Sequence, residues 1–320
     1  MRKLLVVFAV LVLALAGALI WLRKSQETWE AGGRERFPMR GTTRLRPDGR
    51  SFRVWCQGAG SPLIVLEASG LGGADQYEAL MTRLAEHTTV CASDRAGFGY
   101  SDARTSETTI AALADDLWSV TEQRPAEGPI VLIGASYGGL IAQYAARAHP
   151  DDVGALILLD SVSLDAFDAL EKPWTKLDDA IEQARNAAQM GLLRRIDPLK
   201  LGDTRDAWLT YRASTWTTTQ RLLATRHHAK DEFAKLPPLP EDLPLFVIRH
   251  ERVGDLLGPS STPEEHAALE PLWQESQKKL AAQSAKGVVI VAEGCGHLIA
   301  AENPDFAAKK ILIAIEAARE

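Results

Sequence analysis

The chain has 320 residues, 46% of them apolar and 24% charged, an ordinary globular composition with length enough for one large or two modest domains. A net charge of -6 without any basic run argues against a nucleic-acid partner, which needs a basic stripe to displace counterions. The cysteines, Cys56, Cys91 and Cys295, are too few for a disulfide-rich scaffold and lack the spacing of a zinc site, so no metal is expected.

The first segment departs from that composition. Leu4 to Leu22 carries no charge and is bracketed by Arg2-Lys3 and Arg23-Lys24, long enough to span hydrocarbon, for which about 20 residues suffice. A secretory signal peptide is the alternative, with Ala14-Leu15-Ala16 resembling a small-residue cleavage site. The run is longer than the usual signal core, and cleavage after Ala16 would leave GALIWL on the mature chain, which favours an uncleaved anchor over residues 1–24. Bases on both flanks leave the orientation open. Residues 25–40 are polar and aperiodic with a Gly-Gly pair, and read as a tether.

The folded domain is expected over residues 41–320. TTRLR, PDGR and SFRVWCQG read as strand, turn and strand, with Asp48-Gly49 supplying the hairpin. From Pro62 onward, apolar runs (LIVLEA, TVCAS, IVLIG, ALILLD) alternate with segments of helical spacing, the pattern of parallel strands joined by crossover helices. These strands lack polar alternation, so helices are expected on both faces. A helical block over 161–240, with Trp174, Trp208 and Trp216, interrupts the rhythm as an insertion. LPLFVIR and GVVIVAEG are two further strands expected to be buried, and PDFAAKKILIAIEAARE is an amphipathic closing helix.

IVLIG runs into Gly134-Ala135-Ser136-Tyr137-Gly138, a G-x-S-x-G elbow between a strand and a helix. Side chains at Gly134 or Gly138 would meet the neighbouring strand and helix, and the turn presents the Ser136 hydroxyl at a helix N-terminus that favours developing negative charge. A serine hydroxyl needs a base. His297 follows the last strand within Gly294-Cys295-Gly296-His297, a loop whose glycines let the imidazole reach over the sheet edge; His87, His149, His227, His228, His250 and His266 lack that placement.

These residues resemble the α/β-hydrolase superfamily over nearly all of 41–320, in the order Ser, acid, His. LEASGLGG, DRAGFGYSD and GCGHLIAAENPDFAAK carry the resemblance beside the elbow. It implies an α/β fold with a mostly parallel sheet, helices on both faces, a helical cap over 161–240 and an N-terminal membrane segment. It also implies Ser136 as nucleophile, His297 as base, and the backbone N–H groups of Tyr137 and Leu71 as oxyanion donors, although Ser69-Gly70 replaces the family's common His-Gly. Asp94-Arg95 fits the family's scaffold turn.

The acid has three candidates. Many members place it a few residues after the strand read here as LPLFVIR, but that register puts Val253 at the aspartate position, leaving Asp255 or Glu251. Another branch places it at the end of the strand after the nucleophile helix, where ALILLD ends in Asp160, the preferred assignment.

The expected activity is hydrolysis of a small hydrophobic carboxylic ester through an acyl-enzyme, with no organic cofactor. A haloperoxidase-like or carbon–carbon bond hydrolase, or a ligand-binding protein with a silent triad, are the alternatives. The family's sheet order would set SFRVWC beside TVCAS, so that Cys56 and Cys91 can bridge. Such a bridge suits an extracytoplasmic domain, anchored or secreted.

Overall fold

Short apolar runs alternating with amphipathic segments have one compact solution, a sheet whose two faces are both covered by crossover helices. The computed structural model, which describes residues 2–123, 128–169, 171–251 and 262–319, takes that form. A long helix, α1 (Arg2–Arg36), is followed by the hairpin β1 (Thr42–Leu45) and β2 (Ser51–Gln57). Then come β3 (Leu63–Glu67), α2 (Glu78–Leu84), β4 (Val90–Ser93), α3 (Ile110–Trp118), β5 (Ile130–Ala135), α4 (Tyr137–Ala148) and β6 (Val153–Leu159). Between β6 and the next strand lie the cap helices α5 (Leu164–Ala169), α6 (Glu171–Gln189), α7 (Leu192–Ile196), α8 (Arg205–Thr210), α9 (Ala213–Ala224) and α10 (Arg226–Phe233). The chain closes with β7 (Leu245–His250), α11 (Pro263–Ala281), β8 (Gly287–Ala292), α12 (Ile299–Glu302) and α13 (Pro304–Arg319).

The sheet has eight strands in the order β1-β2-β4-β3-β5-β6-β7-β8. β2 runs antiparallel to both of its neighbours, β1 and β4, and the remaining pairs are parallel. Alternation along each strand feeds two cores. Leu63, Val65, Leu132 and Leu156 pack with Leu140 and Ile141 of α4 on one face, and Ile64, Leu66, Ile133 and Ile157 pack with Leu80 of α2 and Ile311 of α13 on the other. β8 departs from the expectation of a buried strand. It is the sheet edge, and Val288 and Val289 are exposed.

Cys56 of β2 lies opposite Cys91 of β4 in the antiparallel register, and the two are joined as a disulfide. Cys295 takes no part in that disulfide and is buried.

Residues 25–36, expected as part of an aperiodic tether, instead continue α1. The reason is a docking face made of polar and small residues. Gln26, Glu30 and Gly33 recur at helical spacing. Gln26 donates to the Tyr211 carbonyl at 3.1 Å, Glu30 accepts from the Ala213 amide at 3.0 Å, and the Trp208 indole donates to the Glu30 carbonyl at 3.0 Å. Gly33 faces that indole so closely that a Cβ there would lie 1.9 Å from Trp208 Nε1. The preceding side chains, Leu4 through Trp21, are largely exposed, and the helix is long and apolar enough to cross a membrane.

Candidate active site

At the C-terminal edge of the sheet, β5 enters α4 through a single residue, Ser136, with φ 51° and ψ -120°. A non-glycine residue in that region costs about 1–3 kcal/mol and persists only where its surroundings over-determine it. They do so here by leaving no room. A Cβ on Gly134 would sit 2.5 Å from the Gly138 carbonyl oxygen, and one on Gly138 would sit 2.1 Å from that of Ala68. The Ser136 amide donates to the Leu159 carbonyl at 2.9 Å, which ties the turn to β6.

His297, in the loop after β8, brings Nε2 to 2.9 Å from Ser136 Oγ. Its Nδ1 lies 2.6 Å from Asp160 Oδ2. A carboxylate only accepts, so Nδ1 carries the proton and Nε2 presents its lone pair to the serine hydroxyl. Asp160 follows β6 with φ 45° and is fully buried. Its Oδ1 accepts from Trp273 Nε1 at 2.9 Å and from the His250 amide at 3.2 Å. Burial pushes this carboxyl up, but hydrogen bonds from His250 and His297 outweigh it and hold Asp160 below the usual carboxylate range.

A sequence model described as the alpha/beta hydrolase fold matches residues 62–304, most of the chain. The chain belongs to this family. Lipase LipV of Mycobacterium tuberculosis is 33% identical over 144 residues, 39% of this chain and 51% of that protein. The chain spans about half, or less, of the length of the first curated relatives it matches. Among solved structures, a thermophilic esterase from Thermogutta terrifontis superposes with a TM-score of 0.60 at 21% identity, covering 88% of this chain and 99% of that one. A bacterial membrane phospholipase A superposes with a TM-score of 0.56 at 17% identity, covering all of both chains. At such identities the likeness is one of fold.

In this α/β hydrolase the loop after β3 is clamped from below. Arg95 is buried and donates to the carbonyls of Ala68 at 2.6 Å, Ser69, and Gly72 at 3.3 Å, while pairing with Glu67. Holding those carbonyls on one side constrains the peptide units between them, which include that of Leu71. The loop lies against the elbow, since a Cβ on Gly70 would be 3.9 Å from Tyr137 Cβ. Tyr137 opens α4, so its N–H has no carbonyl within the helix to bond. Asp94 accepts from the amides of Ala74 at 2.8 Å and Tyr100 at 2.9 Å and pairs with Arg53, the scaffold role expected of it.

Of the remaining acid candidates, only Glu251 lies among the described residues. Glu251 accepts from the Gly294 amide at 2.7 Å, which braces the loop leading to His297. Asp255 lies outside the described residues. Of the cap tryptophans, Trp208 is spent on α1, whereas Trp174 packs on Phe167, which packs on Tyr137 with ring centroids 6.1 Å apart. The Tyr137 hydroxyl reaches Thr225 Oγ1 at 2.8 Å, and Thr219 of α9 donates to the Gly70 carbonyl at 3.3 Å, so the cap packs directly on the elbow and its facing loop.

His250 is a correction. Grouped in sequence with histidines away from the site, it ends β7 with Nδ1 2.7 Å from Asp160 Oδ2 and Nε2 2.8 Å from Glu270 Oε2. Its position at the carboxyl end of a buried strand was the available signal.

Proposed function

We propose that this α/β hydrolase is a membrane-tethered serine esterase that cleaves small hydrophobic carboxylic esters through an acyl-enzyme. The observation that carries this reading is the continuous line of hydrogen bonds from Ser136 Oγ through His297 to Asp160. In it, Ser136 attacks the ester carbonyl as His297 takes its proton, and the tetrahedral oxyanion is received by the amides of Tyr137 and Leu71. His297 then protonates the departing alkoxide. Water, deprotonated by the same imidazole, attacks the acyl-serine, and the carboxylic acid leaves as Ser136 regains its proton. Asp160 holds the productive tautomer and stabilises the imidazolium.

The exposed apolar stretch of α1 is the tether, and the aromatic chain of Trp174 and Phe167 makes an apolar wall for the acyl group. The disulfide between Cys56 and Cys91 supports an extracytoplasmic hydrolase domain, since such bonds persist in oxidising compartments.

A fluorophosphonate probe tests the chemistry. It should label Ser136, and Ser136→Ala should abolish labelling and lower kcat for p-nitrophenyl esters by roughly 10⁴- to 10⁶-fold with the fold intact. An unlabelled, well-folded protein would make this a ligand-binding member of the family instead.

A further inference from the structure

Both ring nitrogens of His250 face carboxylate oxygens, and the side chain is 1% exposed. A neutral imidazole has one N–H and one lone pair, so it would turn a lone pair onto an acceptor-only oxygen; the imidazolium alone donates to both. Asp160 Oδ2 thus receives two histidine N–H groups, from His297 and from His250. We propose that His250, held as an imidazolium between Asp160 and Glu270, is a positioning residue of the active site that fixes the Asp160 carboxylate for His297, with Glu270 balancing its charge.

The charge count explains why both partners are needed. With His250 alone beside Asp160, a second imidazolium on the same carboxylate would oppose proton uptake by His297. With Glu270 included, the cluster carries two carboxylates and one cation at rest, and becomes neutral when His297 is protonated. Low local dielectric makes that difference weigh more than it would in water. Groups around the cluster leave this balance in place. Arg249, preceding on β7, donates to the His250 carbonyl at 2.8 Å; Glu251 is engaged by the Gly294 amide; Gln274 donates to Glu270 Oε1 at 2.7 Å; and Trp273 donates to Asp160 Oδ1. His266 lies one turn before Glu270 on α11.

Burial works against the charge on His250, but the hydrogen bonds and charges of Asp160 and Glu270 overcome it and lift the group to about 9. Above that pH one ring nitrogen presents a lone pair to a carboxylate, and the support behind Asp160 loosens. His250 sits behind Asp160, so kcat responds and KM scarcely changes.

The inference rests on the triad reading, and the test separates the two. Rates for p-nitrophenyl butyrate would be measured from pH 6 to 10.5 on the full chain in detergent, with Ser136→Ala rates subtracted. Wild-type kcat should fall with a midpoint near pH 9. Glu270→Gln, which keeps the shape but removes one carboxylate, should move that midpoint down by about one pH unit or more with KM within about twofold. His250→Gln should lower kcat roughly ten- to hundredfold, the scale of one lost hydrogen bond to a charged group, and abolish the alkaline fall. A ¹⁵N-histidine spectrum of the unmutated protein at pH 8 should show one ring with both nitrogens protonated.

A flat wild-type profile to pH 10, an unmoved midpoint in Glu270→Gln, or no such imidazolium signal would overturn the proposal while fluorophosphonate labelling of Ser136 still stood. Absence of labelling would remove the triad reading beneath it.

Discussion

β6 and β7 are adjacent parallel strands paired at Leu159 and Ile248, and each delivers a titratable side chain to the same buried cluster. They do so with opposite chemistry. β6 leads into Asp160 in a left-handed backbone conformation, and its carboxylate collects four donors: two histidine rings, an indole and an amide. β7 ends in His250, whose ring donates and whose amide also reaches Asp160. The end of β7, near which many relatives carry their acid, here supplies a cation that supports an acid one strand away. What a strand end contributes is decided by the donors and acceptors that meet there, and register alone does not fix it.

The largest effect that can break this comparison is removal of the acid at the end of β6. In Asp160→Asn, the amide nitrogen would face histidine N–H groups, and His297 would lose both its productive tautomer and the charge that stabilises its cation. We expect kcat for p-nitrophenyl esters to fall on the order of 10⁴-fold with KM little changed. A loss of less than about tenfold would mean that another carboxylate serves His297.

The two strand ends also differ in how far they were legible in the sequence. Ser136 sits in a turn too tight for side chains at Gly134 and Gly138, and the loop to His297 passes through Gly294 at a φ of 72°, so both turns write glycines into the sequence. Asp160 could be named because it closes a readable apolar strand, but choosing it over Asp255 and Glu251 rested on resemblance. His250 was not legible as a site residue. Its partners lie 90 residues before it and 20 after it, and no local pattern records a contact made only by the packing of α11 on the sheet. The docked part of α1 was hidden for a related reason. Its contacts are made by Gln26, Glu30 and a glycine that admits an indole, residues that read as solvated or helix-breaking when seen alone.

A smaller effect sharpens the comparison through stability. The His250 pKa is raised above its unfolded value of about 6.5, so its contribution is complete below that pH and fades as the pH rises to about 9. That of Asp160 is depressed, so its contribution is complete above its unfolded value of about 4 and fades on acidification. Between pH 6 and 10, wild type should therefore lose about 3 kcal/mol more unfolding free energy than His250→Gln does. Urea titrations at the two pH values measure this, and equal losses would show that the cation at the end of β7 contributes nothing to the fold.

The smallest effects are expected from the carboxylates beyond the end of β7. His297 Nδ1 carries one proton, and that proton is already given to Asp160 Oδ2 at 2.6 Å, so a further acid nearby would find no donor on this ring. Asp255→Asn should accordingly leave kcat within about twofold of wild type. Glu251→Gln should behave almost as mildly, because a glutamine carbonyl can accept from the Gly294 amide as the carboxylate does. Glu251→Ala removes that brace and should cost more than either, roughly two- to fivefold in kcat, through a looser His297 loop. Steady-state kinetics on the three variants read the order directly. If Asp255→Asn instead lost activity by orders of magnitude while Asp160→Asn stayed active, the acid would belong to the β7 side after all, and the two strand ends would exchange the roles assigned to them here.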